Sequence, residues 1–155
     1  MIIKKINAEK TFQIRHPILR KGLPLDSCKF ENDNDENSIH LCAIENNKLV
    51  AVISALPNIC PFFPKKKAFQ IRGLAVIEKF RRRGIASALI KETEITLRNK
   101  FSIELIWLNS RTIASKLYLV NNYIPHGDPF EIKISGPHQR FYKLLDLEFN
   151  QKWIN

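Results

Sequence analysis

Three consecutive arginines, Arg81, Arg82 and Arg83, are followed at once by Gly84 and then by Ile85-Ala86-Ser87. Guanidinium groups give charge-assisted hydrogen bonds to oxyanions. A glycine lets backbone approach an anion closely. If a helix starts here, its first amides have no intrahelical partners and its dipole is positive at that end. Just upstream, Gln70-Ile71-Arg72-Gly73-Leu74-Ala75-Val76 reads as a buried strand. A strand that delivers a basic, glycine-containing turn to a helix N-terminus is a device for holding phosphate. The stretch therefore predicts a pyrophosphate site, with backbone amides doing most of the holding. The competing reading is a solvated basic turn.

The elements needed to position such a site can be read along the chain. Met1 to Ile6 is β-branched and predicts a first strand. Ala8 to Arg20 predicts helix, broken near His16 because Pro17 disfavours helix at the residue before it. Lys21 to Phe30, with Gly22 and Pro24, predicts loop or a short helical turn. Glu31 to Asn37 is acidic and Asn-rich; a solvated turn is favoured over a cation lure or a calcium loop, since the glycine and terminal carboxylate of an EF-hand are missing. Ser38–Ile44 and Lys48–Leu56 predict a hairpin turning at Glu45-Asn46-Asn47. Pro57 to Pro64 is loop, with Lys65–Lys67 at its exposed end.

Ala68–Val76 is the next strand, completing three antiparallel ones. In the helix that follows, Ala86, Leu89, Ile90, Thr93 and Leu97 fall on one face and Lys91, Glu92, Glu94 and Arg98 on the other. It ends near Asn99-Lys100. Ser102–Leu108 is strongly β in composition, so strand, helix and strand form a right-handed parallel unit. A second helix after Asn109–Thr112 buries Ile113, Leu117 and Val120 and stops at Asn121-Asn122. Tyr123 to Pro129 is loop. Phe130–Ile134 and His138–Leu147 close the sheet through Ser135-Gly136-Pro137.

Composition narrows the function classes. A chain of 155 residues with no internal repeat or low-complexity linker predicts one domain over 1–155. No apolar run reaches the roughly 18 residues of a membrane span. The first ten residues lack the apolar core of a signal peptide, which predicts a cytoplasmic protein. Cys28, Cys42 and Cys60 are odd in number and widely spaced, which predicts free thiols and no metal site. The net charge of +10 suits an anionic partner. Its local clustering, without a basic helix face or interleaved aromatics, favours one anion site over a nucleic-acid track or a membrane surface.

These residues resemble a family. Arg81-Arg82-Arg83-Gly84-Ile85-Ala86 fits the Gln/Arg-x-x-Gly-x-Gly/Ala pattern that marks the acyl-CoA pyrophosphate loop of the GNAT superfamily of N-acetyltransferases. Ala114 to Tyr123 is similar to the family's Ala-x-x-x-Tyr-x-x-x-Gly-Phe signature, with Asn122 and Tyr123 in the last two places. Gly136 to Lys143 looks like the closing strand of a small bacterial branch.

The resemblance implies an α+β, three-layer fold, the acyl-CoA N-acyltransferase fold. Its twisted, mostly antiparallel mixed sheet is flanked by helices and has a central parallel pair that splays apart. It implies acetyl-CoA as cosubstrate, the pantetheine arm on the backbone of Leu74, Ala75 and Val76, and the pyrophosphate on the loop Arg81–Ala86 with Ser87 as an extra donor. Tyr118 is then the acid that protonates the departing thiolate, a role open to a phenol of ordinary pKa about 10 when held against the sulfur. Asn109 either contacts pantetheine or caps the next helix. Arg111 either reaches the cofactor or caps at the surface. Backbone N–H groups near Leu74 to Val76 are the natural donors to the oxyanion of acyl transfer.

One departure concerns the base. Some members carry a glutamate where this chain has Gln70, which accepts no proton. His138 and Glu45 are the spare candidates, beside ordered water. The implied activity is direct acetyl transfer to a primary amine. The acceptor is left open and a homodimer is possible. The competing reading is an inactive acyl-CoA-binding regulatory module on the same fold.

Overall fold

The computed structural model describes residues 1–145. Seven strands form one mixed sheet in the order β1-β2-β3-β4-β5-β7-β6. They are β1 (Ile2–Lys5), β2 (Ile39–Glu45), β3 (Lys48–Pro57), β4 (Ala68–Val76), β5 (Leu105–Arg111), β6 (Ile124–Ile132) and β7 (Gly136–Leu144), with helices α1 (Ala8–Leu19), α2 (Ile85–Lys100) and α3 (Ser115–Val120). The mixed sheet flanked by helices, with a single parallel pair, is the α+β class expected. Two compact units are distinguished: Met1–Pro57 with Ile71–Thr96, and Asn58–Gln70 with the chain from Leu97 onward.

In the first unit, β1 pairs antiparallel with β2, and β2 with β3. The hairpin turns on Asn46 and Asn47, both at positive φ, a conformation that asparagine tolerates better than most residues and that suits the right-handed twist of the strands. Ile14, Cys42, Val52 and Ala75 form its core, with Ile6, Ile18, Leu19, Ile44, Leu49 and Ile77 packed around them.

Helix α1 starts at Asn7, whose side chain accepts from the Lys10 amide at 3.0 Å. The helix does not break at His16. It runs through Pro17 to Leu19. Pro17 lies in the last turn, where one forfeited backbone bond is offset by burial of Ile14 and Arg15 on the turn before. The Lys21–Phe30 segment holds a short 3-10 turn at Leu25–Cys28.

In the second unit, the first three residues of β4 pair parallel with β5, as Ala68–Leu105, Phe69–Ile106 and Gln70–Trp107. β5 then pairs antiparallel with β7, and β7 with β6. Cys60, Leu105 and Trp107 form the core under Phe62, Phe63, Ala68 and Tyr142.

Four expectations fail in this region. β5 starts three residues later than Ser102 and continues to Arg111, because Asn109, Ser110 and Arg111 have ladder partners in Arg140, Gln139 and His138. The second helix is short and does not bury Ile113 and Val120; Ile113 is 90% exposed, and Tyr118 is the buried residue. Tyr123 to Pro129 is not loop, since β6 begins at Ile124. Its Pro125, Gly127 and Pro129 are tolerated on an edge strand with a register shift between His126 and Phe130. The closing turn is at Lys133–Ser135, with Gly136 and Pro137 already in β7. The last two residues assigned to that strand, Asp146 and Leu147, lie outside the described residues.

Candidate active site

The predicted phosphate turn lies between β4 and α2. After Val76 the chain makes a short 3-10 turn, Glu78–Phe80, and then the bend Arg81–Gly84. All three arginines and Gly84 are exposed. Arg82 has φ 61° and Gly84 φ 79°, so two left-handed residues flank Arg83. Alternation of this kind turns successive amides toward one side, the geometry of an anion nest. The carbonyl of Gly84 accepts from the Ala88 amide at 3.0 Å, so the amides of Ile85 and Ala86 precede the first intrahelical donor. A Cβ built on Gly84 would meet nothing within 4 Å, so the space over this backbone is open.

The three arginines are not equivalent. Arg81 folds back, its Nε donating to the Val76 carbonyl at 2.9 Å, and so ties the turn to the end of β4. The Arg83 guanidinium lies 5.3 Å from the Phe80 ring. Of the residues expected to meet pantetheine, Ala75 and Val76 are buried and Leu74 is half-buried at the end of β4.

Tyr118 stands in the second unit, 6% exposed. Its ring packs against Phe141 at 5.6 Å and edge-on to Tyr123 at 5.9 Å. Burial without a compensating charge pushes the phenol well above its ordinary pKa.

Asn109 lies within β5, opposite Arg140, and is exposed. Its predicted alternative as helix cap is excluded, because the 3-10 turn at Thr112–Ala114 is preceded by Arg111 and carries no side-chain cap there. Arg111 is likewise a strand residue, opposite His138.

The two spare bases both lie on strands, His138 in β7 and Glu45 at the end of β2. His138 is buried, with Nδ1 2.8 Å from the Gly136 carbonyl, a local structural contact. Glu45 closes the β2–β3 hairpin opposite Lys48. Gln70 is buried, and its Oε1 accepts from Asn58 Nδ2 at 2.9 Å. The Asn58 carbonyl in turn accepts from Trp107 Nε1, which anchors the Pro-rich loop to β5.

The acidic run hides a residue that sequence reasoning missed. Asp33 is buried and takes Nη1 and Nη2 of Arg15 at 2.7 and 2.9 Å, plus the Phe30 amide at 2.9 Å. Arg15 is 0% exposed, donates also to the Cys28 carbonyl, and reaches Ser54 Oγ at 2.7 Å. Ser54 Oγ lies 2.6 Å from His40 Nδ1, and His40 Nε2 lies 2.8 Å from the Asp33 carbonyl. A carbonyl only accepts, so Nε2 carries the proton and Nδ1 accepts from the serine hydroxyl. Burial holds the His40 pKa below its usual value. The run is thus a structural clamp in addition to a turn. The available signal was an arginine on the apolar stripe of α1, which demands a buried counter-charge.

The family model for the GNAT acetyltransferases matches residues 7–120. The chain belongs to that family. It is 32% identical over 143 residues to the uncharacterized N-acetyltransferase YitI of Bacillus subtilis, covering 92% of this chain and 95% of YitI. Solved structures of other proteins share the fold, among them two that hold ligands. Arabidopsis thaliana NAA60 in complex with a bisubstrate analogue matches with TM-score 0.74 at 17% identity, over 94% of this chain and 98% of that one. An aminoglycoside 6'-N-acetyltransferase complexed with coenzyme A matches with TM-score 0.71 at 14% identity, over 93% and 97%. The protein is an N-acetyltransferase of the GNAT family. Among the described residues, no helix is long and apolar enough to cross a membrane, and no group of three His, Cys, Asp or Glu could hold a metal ion. The three cysteines are free and buried.

Proposed function

We propose that this enzyme moves an acetyl group from acetyl-CoA directly to a primary amine. The reading rests above all on the exposed turn Arg81–Gly84, whose alternating left-handed residues and open glycine suit a diphosphate. Backbone at Leu74, Ala75 and Val76 receives the pantetheine arm. The turn and the amides of Ile85 and Ala86 hold the diphosphate, with Ser87 close by as a further donor. Acetyl-CoA supplies the activated acyl carbon. As the amine nitrogen bonds to that carbon and the carbon–sulfur bond breaks, Tyr118 delivers its proton to the leaving sulfur and is reprotonated by the proton that the amine releases. A phenol is protonated at neutral pH whether or not it is buried; burial makes Tyr118 a more reluctant donor, so the role is supported by its place in the Ala-x-x-x-Tyr signature rather than by its pKa. Gln70 holds an amide where a carboxylate base would be needed. The amine accordingly arrives neutral or loses its proton to ordered water.

The test is Tyr118→Phe, which keeps the ring packing on Phe141 and removes only the hydroxyl. We expect kcat to fall by roughly a hundredfold or more, the ordinary worth of a positioned general acid, with CoA affinity unchanged by calorimetry. Unchanged turnover would remove Tyr118 from the mechanism. Absence of turnover in the unsubstituted protein despite tight CoA binding would favour a regulatory acyl-CoA-binding module.

A further inference from the structure

The ring of Phe30 in the first unit is surrounded by positive charge. The guanidinium carbon of Arg15 lies 3.9 Å from its centroid, that of Arg72 4.1 Å and that of Arg20 5.6 Å. Arg15 has its charge matched by Asp33 and gives Nη1 and Nη2 to Asp33, Ser54 and the Cys28 carbonyl, its Nε alone being without a partner among the described residues. Arg20 spends Nε on the Ser27 carbonyl and Nη1 on the Leu19 carbonyl. Arg72 is different. It is half-buried on β4, stacked on Phe30, and its guanidinium meets no acceptor among the described residues.

The arrangement is built. Gly73 sits at φ 65° inside β4, and a Cβ there would come within 2.8 Å of Phe30 Cε2 and 3.1 Å of Arg15 Nε. The strand thus gives up a side chain and its regular alternation at the one place where Phe30 must lie against it. Arg72 immediately precedes that irregularity, and Leu74 immediately follows it.

A guanidinium in this position has lost part of its hydration and sits near two others. Desolvation and the charges of Arg20 and Arg15 weigh against it; Asp33 and Glu31 weigh for it. Asp33 is already held by Arg15, and Glu31 is exposed. Three guanidiniums against two carboxylates leave one positive charge unbalanced, an amount that a single carboxylate would neutralise. A free planar fork is the geometry that a carboxylate takes bidentately.

We infer that Arg72, braced by Phe30 and backed by Arg20, binds the carboxylate of the acceptor, so that the acetylated amine belongs to an amino acid or to a molecule with the same pairing of amine and carboxylate. The inference rests on the acetyl-transfer reading above and names its substrate class. A phosphate monoester shares the oxyanion chemistry, but brings more charge than the cluster leaves unbalanced.

The experiment pairs each amine with its carboxylated counterpart: phenethylamine with L-phenylalanine, histamine with L-histidine, cadaverine with L-lysine. Phosphoethanolamine is added as the phosphate arm. Thiol release from acetyl-CoA is followed for each, and CoA binding is measured separately by calorimetry. We expect at least one carboxylated member to exceed its partner about tenfold or more in kcat/KM. In Arg72→Gln that preference should collapse while the CoA dissociation constant stays within about twofold, the loss being that of one charged hydrogen-bonded contact. Arg72→Lys keeps the stem and the charge. It should retain a reduced preference, and it covers the case in which the glutamine variant fails to fold.

Equal use of both members of every pair overturns the inference. So does a preference that survives Arg72→Gln, the choice of phosphoethanolamine over every carboxylated probe, or no turnover of any carboxylated probe by protein that binds CoA. Protein that binds no CoA fails the acetyl-transfer reading itself, and the calorimetry tells the two failures apart.

Discussion

Two groups of three arginines sit on either side of the end of β4, and they are used in opposite ways. Arg15, Arg20 and Arg72 crowd the ring of Phe30, and the innermost of them is wholly buried. Arg81, Arg82 and Arg83 stand on an exposed turn, one of them tied to a carbonyl and one set beside an aromatic ring. A buried guanidinium must be matched inside the protein because its desolvation cost is large. An exposed one keeps its hydration until a ligand displaces it. The first group is therefore mainly architecture, with Arg72 as its one uncommitted member, and the second is available for an anion.

The comparison breaks most visibly at Asp33. Asp33→Ala strands the Arg15 charge in the core and should cost about 3–5 kcal/mol of stability, read by urea denaturation, with CoA affinity of the remaining folded protein unchanged. A cost under about 1 kcal/mol, the ordinary worth of a surface pair, would mean that the clamp carries no weight.

The two glycines of the region sharpen the contrast. Both have positive φ, but an added Cβ at Gly73 would strike Phe30 whereas one at Gly84 would meet open space. Gly73→Ala should lose about 2–4 kcal/mol from left-handed strain and overpacking together. Gly84→Ala should lose about 1–2 kcal/mol from strain alone and instead impair CoA binding. Equal destabilisation at both sites would contradict the packing account.

The smallest effect is one of pH. His40 has its folded pKa lowered from 6.5, because burial opposes its charge. Its contribution is fully present above the unfolded pKa and is lost as pH falls from there through the folded value. In the unfolded chain the imidazole takes up its proton first. Melting temperature should therefore decline below about pH 6.5, and His40→Gln should flatten part of that decline. An identical pH profile in the variant would show that the decline belongs to other groups.

The same contrast explains what could be read from the amino-acid order. The turn Arg81–Gly84 is local: arginines, glycine and helix start are neighbours along the chain, so their types and spacing reveal the turn and the helix that follows it. The same is true of β4, α2 and the β2–β3 hairpin, whose turn residues and periodicity are self-contained. The clamp is not local. Arg15 meets Asp33 and Ser54 far along the chain, and nothing near Asp33 sets it apart from the six polar residues around it. β6 was hidden for a related reason. Its prolines and glycine argue against a strand until its place at the sheet edge is known. The family signature singles out Tyr118 as a candidate, but gives no hint of its burial amid exposed Ile113, Leu119 and Val120.

The account turns on the diphosphate, and calorimetric titration of the unsubstituted protein with CoA and with pantetheine isolates it. CoA should bind, and pantetheine, which lacks the diphosphate and the nucleotide, should bind about a hundredfold more weakly, with the CoA signal weakening as salt is raised. Equal affinity for the two, or no CoA binding at millimolar concentration, would contradict it.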